Sequence, residues 1–213
     1  MLKRILRRTQ DFLFPISCGL QATRLEAILE GFPEFTVKFI DWDKDLGAGS
    51  FYDLTVIAAI TSALSPRIIL EIGTGRGRST IQFAANTISE AQIFTIDIST
   101  HPNIGCIFRN QPYGNKIQQL QGDSKTYNLR QHFPQADLIL IDGAHDYESV
   151  ICDSKTAFEL IKTGGLILWD DFCPSWSGVV KALNQFTTTH KIYRIAGTKI
   201  AYHKARSSEV MIR

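Results

Sequence analysis

The sequence predicts an α/β fold: a doubly wound, mostly parallel sheet of seven strands, the last antiparallel, behind an N-terminal extension of helix and loop. Three observations predict it. From Phe51 onward, apolar runs of strand length alternate with stretches of helical spacing. The strongest run, Asp137 to Asp142, reads Asp-Leu-Ile-Leu-Ile-Asp, as a strand buried on both faces should. Near the end, Ala196-Gly197-Thr198 separates two short runs closely enough to make a hairpin, which turns one strand antiparallel.

Residues 1–50 are irregular, punctuated by Pro15, Gly19, Gly31, Pro33 and Gly47-Ala48-Gly49. They read as one or two helices and loops that pack on, or lid, a main domain spanning 51–213. Lys3, Arg4, Arg7 and Arg8 among Leu2, Ile5, Leu6 and Phe12 predict a helix with a solvated basic face. Phe51 to Leu64 has helical apolar spacing and stops at Ser65-Pro66, where proline opposes continuation. Strands are expected at Arg67 to Ile72, Ala91 to Asp97, Lys116 to Gln121, Asp137 to Asp142, Leu166 to Trp169, Lys191 to Ile195 and Lys199 to His203. Helices are expected near Gly77 to Thr87, Tyr147 to Ile161 and Ser177 to Phe186.

The bulk composition narrows the function. Of 213 residues, 44% are apolar and 21% charged, an ordinary globular balance that argues against extensive disorder. A net charge of +2 lacks the strong basic excess of a dedicated nucleic-acid binder, so no nucleic-acid partner is expected. Cys18, Cys106, Cys152 and Cys173 form no CxxC and no metal-ligand spacing, so they read as reduced thiols of a cytoplasmic protein. No apolar stretch is long enough for stable membrane insertion. The oligomeric state, a homo-oligomer included, is open.

Open parallel sheets bind ligands at the carboxyl ends of their strands. There the first strand runs into Glu71-Ile72-Gly73-Thr74-Gly75-Arg76-Gly77, glycines that let the backbone approach a ligand at the positive end of a helix. Arg78 stands where a dinucleotide fingerprint wants glycine. The second strand ends at Asp97-Ile98, where an acid can accept from two ribose hydroxyls or simply cap a helix. The third leads to Asp123-Ser124, the fourth to Asp142-Gly143-Ala144-His145, the fifth to Asp170-Asp171. Adjacent carboxylates at the end of a buried strand need a compensating cation. If the fourth and fifth strands are neighbours, Asp142 meets Asp170 and Asp171 in an oxygen-rich site suited to Mg²⁺, with Ca²⁺ or Mn²⁺ as alternatives. Asp146 and Tyr147 read as helix-start residues and Asp137 as structural. Trp42, Trp169, Trp176 and Tyr147 suit a substrate pocket, though core packing explains Trp169 equally well.

The E-x-G-x-G-x-G loop resembles the cofactor loop of class I S-adenosylmethionine-dependent methyltransferases, whose fold is Rossmann-like. Asp142, His145, Asp170 and Asp171 at these spacings, with the phrase IDGAHDYESV, resemble the metal-dependent O-methyltransferases of the macrocin and mycinamicin type, and catechol O-methyltransferase in outline. The resemblance covers roughly Phe51 to His203. It implies S-adenosylmethionine and Mg²⁺ as cofactors and a small-molecule hydroxyl as acceptor. It implies that Glu71, Gly73, Thr74, Gly75, Ser79, Asp97, Ile98, Asp123, Ser124 and Asp142 form the cofactor site. Glu71 would engage the methionine amino group or order its loop; Asp123 would receive the adenine amino group, unless it is a helix N-cap. Asp142, Asp170 and Asp171 would bind the metal, and Asp142 and His145 would be catalytic, the imidazole taking the acceptor's proton. Rival readings are a metal-independent methyltransferase of another acceptor and a non-catalytic S-adenosylmethionine-binding domain.

Overall fold

The computed structural model describes residues 18–40 and 48–206. The expected basic helix with Lys3, Arg4, Arg7 and Arg8 lies outside the described residues, as does Trp42. In chain order the elements are β1 (Ala22–Thr23), α1 (Leu25–Ile28), α2 (Ala48–Leu64), β2 (Ile68–Ile72), α3 (Arg78–Ala85), β3 (Gln92–Asp97), β4 (Ile117–Gln121), α4 (Leu129–His132), β5 (Ala136–Ile141), α5 (Tyr147–Leu160), β6 (Ile161–Trp169), α6 (Ser177–Phe186), β7 (Ile192–Ile195) and β8 (Ala201–Lys204).

The sheet order is β1-β7-β8-β6-β5-β2-β3-β4. Among the described residues only β8 runs antiparallel to its neighbours, β6 and β7. Among the described residues the sheet has eight strands rather than the expected seven. The extra strand is the two-residue β1, which pairs in parallel with Arg194 and Ile195. A strand that short carries no alternation in sequence, so only the finished edge reveals it. Likewise β6 begins at Ile161, directly after α5, instead of after Gly164-Gly165; its pairing with β5 shifts register between Ala136 and Leu138.

Residue alternation explains why both faces are sealed. Leu70, Ile72, Ile139, Ile141, Ile167 and Trp169 turn toward α5 and α6, packing with Val150, Ala157, Val179 and Leu183. Ile69, Leu138, Leu140, Leu166 and Leu168 turn the other way, against Leu54, Ile57 and Ile60 of α2 and Phe83 of α3. Trp169 is 1% exposed, and its indole N–H donates to Ser154 Oγ at 2.9 Å, so core packing is its role. Asp137 accepts the backbone N–H groups of Arg67 and Ile68, each at 2.9 Å, and pairs with Lys162 at 2.8 Å. Burial alone would raise its carboxyl, but Lys162 and those amides together hold it below the usual range.

The N-terminal segment is bound to α3 by reciprocal amide bonds. Asn86 accepts from Lys38 N–H and donates to Lys38 O, both at 2.8 Å, and Gln82 does the same with Ile40 at 3.2 and 3.0 Å. These side chains act as a surrogate strand for an extended backbone, satisfying groups that no sheet neighbour reaches.

Glu71 is the one acid inside β2, fully buried on the α3 side. Ser79 donates to one of its oxygens and Thr80, at 2.5 Å, to the other, so the carboxyl pins the first turn of α3 to the strand. Burial pushes this carboxyl up to about 7, against the pull of the Ser79, Thr80 and Thr95 hydroxyls. The folded chain therefore holds a proton that the unfolded chain has released by its ordinary value of 4.5, and this group's contribution to stability falls as pH rises between those two values. Thermal unfolding of the ligand-free Glu71→Gln variant should show a Tm above wild type by roughly 3 °C or more at about pH 8.5, the gap narrowing below about pH 5. A gap independent of pH would remove the buried ionisation as its cause.

Candidate functional site

Strand register assembles the site before any side chain acts. Ile72 pairs with Ile96 on one side and Ile141 on the other, and Ile141 pairs with Trp169. The next residues, with Asp97 at the end of β3, therefore stand in one row at the carboxyl edge: Asp97, Gly73, Asp142, Asp170. The ladder continues through that row: Gly73 N–H donates to Ile96 O and Asp142 N–H to Ile72 O, both at 2.8 Å, and Asp170 N–H to Ile141 O at 3.1 Å. Gly73, at φ +98°, is held so close that a Cβ would lie 2.0 Å from the Asp142 carbonyl oxygen. Only glycine fits there.

Above this row opens a cleft of about 360 Å³. Of the residues expected to hold a cofactor, Gly73, Gly75, Asp97, Ile98, Asp123, Ser124 and Asp142 line it. Asp97 accepts the Gly75 N–H at 2.9 Å through one oxygen and the Ser99 N–H at 2.8 Å through the other, which fixes the carboxylate while leaving each oxygen a further lone pair. Ile98 is 67% exposed beside it, an apolar side chain facing open cleft. Asp123 makes an Asx turn to Lys125 N–H at 3.0 Å; it does not cap α4, which Asn128 does. Glu71, Thr74 and Ser79 do not border this cleft. Glu71 lies beneath it, Thr74 is buried against the Thr95 hydroxyl at 2.7 Å, and Ser79 borders a smaller cavity next door.

The acid rim sits at the other end. The alternation that turns Leu140 and Leu168 toward α2 also carries Asp142 and Asp170 that way. Asp171 stands in the left-handed region at φ +57°, a strained conformation that Asp tolerates better than most residues and that re-aims the chain after β6. The donor atoms of Asp142, His145 and Asp171 lie within 4.8 Å of one another. His145 Nε2 is 3.1 Å from Asp171 Oδ2 and 4.0 Å from Asp142 Oδ1. That nitrogen is buried and has no well-aligned hydrogen bond, so its lone pair or proton is aimed at the acids, and the set fits a divalent cation. Asp170 is outside this tight group and borders the smaller cavity, with its Oδ1 taken by the Asp171 N–H at 2.7 Å. The His145 ring stacks on Trp176, with centroids 4.2 Å apart. Asp146 caps α5 by accepting the Ser149 N–H at 3.0 Å, and Tyr147 hydrogen-bonds Gln185 on α6.

Three site residues carry no signal in the sequence. Lys199, just before β8, bonds Asp171 Oδ1. Burial would lower its ammonium, but Asp171, Asp170 and Asp53 push it up to about 12. Asp53, on α2, is 4% exposed and pushed up to about 7, first by burial and then by Asp170. Asp153, on α5, borders the cleft, accepts the Ser124 hydroxyl at 2.7 Å, and burial pushes it up to about 6. Asp142 is raised well above the carboxylate range by burial, then by Asp170, Glu71 and Asp171; Asp170 is raised by burial against the pull of Lys199. Asp171 is held low because His145 and Lys199 outweigh its burial. The rim thus keeps its acids close together with the Lys199 ammonium among them.

Residues 70–172 match a family described as a methyltransferase domain. No protein of curated function matches the chain in sequence. Among solved structures, the O-methyltransferase TomG from Streptomyces achromogenes, in complex with SAM, superimposes with a TM-score of 0.60 at 18% identity, over 76% of this chain and 83% of that one. CalS11, a TDP-rhamnose 3'-O-methyltransferase of calicheamicin biosynthesis, gives 0.59 at 17% identity, over 75% and 81%. An O-methyltransferase from Bacillus cereus, in complex with SAH, gives 0.59 at 20% identity, over 96% and 100%. Residues 70–172 thus match a methyltransferase domain, set in a Rossmann-like fold that the chain shares with these O-methyltransferases.

Proposed function

We propose that the chain transfers a methyl group from S-adenosylmethionine to a hydroxyl of a small molecule with neighbouring oxygens, such as a sugar, a glycosylated natural product or a catechol-like ring. The observation that carries this reading is that Asp142 belongs both to the cleft and to the acid rim. A donor in the cleft and an acceptor at the rim would therefore meet at one residue, and proximity of that kind is the main service a methyltransferase can render to an already activated donor. The three structural relatives described above, all O-methyltransferases, support the choice of oxygen and of S-adenosylmethionine.

In this reading Asp97 receives the ribose hydroxyls, Asp123 and Ser124 face the adenine edge, and Ile98 gives an apolar face on which the base can rest. Gly73 and Gly75 let the loop approach, while Glu71, Ser79 and Thr74 hold it in shape from beneath. Asp142, Asp171 and Asp170 would hold a divalent ion such as Mg²⁺, whose charge would lower the pKa of the acceptor hydroxyl. His145 would accept the hydroxyl proton at Nε2, the ring nitrogen that faces the rim 3.1 Å from Asp171 Oδ2. The Trp176 ring keeps the imidazole plane fixed. Residues 1–50 would be an N-terminal extension that shapes the acceptor side.

One observation favours a second reading, without metal. Lys199 already supplies a cation to Asp171, and a tethered ammonium can balance the rim on its own.

Chelator separates the two: turnover should vanish with the divalent ion removed and return with Mg²⁺, whereas full turnover in excess chelator would leave Lys199 as the rim's cation. His145→Ala should bind S-adenosylhomocysteine as wild type does yet turn over about 10²–10⁴-fold more slowly. Measuring Mn²⁺ affinity of the same variant tells base from ligand, since a base can be lost with affinity unchanged.

A further inference from the structure

The extended segment from Glu34 to Ile40 lies against α2 and α3, outside the sheet, and its backbone is bound along one side. Thr36 O accepts the Ser62 hydroxyl at 2.7 Å, while Lys38 gives both its N–H and its C=O to Asn86, and Ile40 gives both to Gln82. In extended backbone the N–H and C=O of one residue point the same way, and those of the next residue point the opposite way. Bonds at 36, 38 and 40 therefore turn the groups of Phe35, Val37 and Phe39 away from the helices. Among the described residues, none of these outward N–H and C=O groups has a partner. Glu34, Thr36 and Lys38 are exposed, and Val37 is 37% exposed, so this outer edge faces solvent.

An open edge is a template for another strand, and a lysine there ordinarily discourages pairing. Here an acid four residues earlier supplies the lysine with a counterpart. A two-fold axis through Thr36 sets Glu34 opposite the partner's Lys38, Phe35 opposite the partner's Val37, and Thr36 opposite the partner's Thr36. Opposite charges, an aromatic ring against a β-branched side chain, and paired threonines are the cross-strand contacts that stabilise a ladder. The pairs that exchange hydrogen bonds in this register are Phe35 and Val37, whose groups are the open ones. An axis through Val37 would also join open groups, but it sets Glu34 against Ile40 and Lys38 against Thr36, leaving both charges unmatched. Within one chain, neither Glu34 nor Lys38 has an ion-pair partner among the described residues. Lys38 instead stands near a like charge: the Lys116 ammonium is lowered first by burial and then by Lys38. An acid brought opposite Lys38 relieves that crowding.

We propose that residues 34–38 form an antiparallel edge through which two copies of this chain pair about a two-fold axis at Thr36. The contact is the same patch on both copies, so it closes at two. Five residues a side fall below the roughly 1,200 Å² of standard interfaces, so the dimer forms by mass action as concentration rises. No residue of the cleft or the rim takes part, and the inference stands apart from the methyl-transfer reading.

The test is analytical ultracentrifugation of the full chain over a concentration series up to about 1 mM. Wild type should move from the mass of one chain toward that of two. Val37→Pro removes an N–H that is unpaired in the single chain, so its Tm should match wild type while dimerisation weakens about tenfold or more. Glu34→Lys and Lys38→Glu leave the backbone intact and should each weaken the dimer about three- to thirtyfold. The double exchange should restore it, and mixing the two single variants should give a heterodimer tighter than either homodimer. Wild type that stays a single chain at every concentration overturns the proposal. So does a dimer indifferent to Val37→Pro, or one that the charge variants weaken and the double exchange fails to restore.

Discussion

Everything at the working edge depends on the register of four parallel strands. Because β3, β2, β5 and β6 pair without a slip at their carboxyl ends, residues from positions 97, 73, 142 and 170 share one row. A slip of one residue in β5 would turn Asp142 to the α5 side and place Ile141 against α2. The sealed faces forbid that slip, since Leu138, Ile139 and Leu140 have no exposed surface and each fits only one side. Core packing thus fixes the chemistry indirectly: apolar burial chooses the register, and the register chooses the neighbours of each carboxylate.

The rim shows how a fold tolerates clustered negative charge. Asp142, Asp170, Asp171 and Asp53 crowd a small volume, and isolated carboxylates there would be costly. Three devices keep the cluster: some carboxyls hold their protons more tightly, Lys199 contributes a charge, and His145 stands within reach of two acids. The strain at Asp171 belongs to the same arrangement, because a left-handed residue after β6 lets consecutive carboxylates point in different directions.

Much of this was legible in the sequence, for identifiable reasons. Long buried strands such as Asp137 to Asp142 announce themselves because both faces are apolar, and the glycine loop does so because only glycine reaches φ +98° at Gly73 under the Asp142 carbonyl. β1 was not legible, since two residues define no period. Lys199, Asp53 and Asp153 were invisible for another reason: each is an ordinary charged residue in its own segment, and only tertiary packing brings it to the site. Asp170 illustrates the limit of spacing arguments. Its adjacency to Asp171 is evident in sequence, but the turn of the backbone between them sends the two toward different compartments.

The antiparallel direction of β8 has a consequence for how the rim is furnished. Parallel strands present their ends at this edge, whereas β8 presents its beginning, so the residue delivered there is Lys199, which precedes the strand. The closing hairpin therefore does two jobs with one segment, covering the flank of β6 and reaching back over the acids. Losing the last two strands would bare a central ladder and, in the same stroke, deprive Asp171 of its ammonium counterweight, tying completion of the sheet to charge balance at its lip.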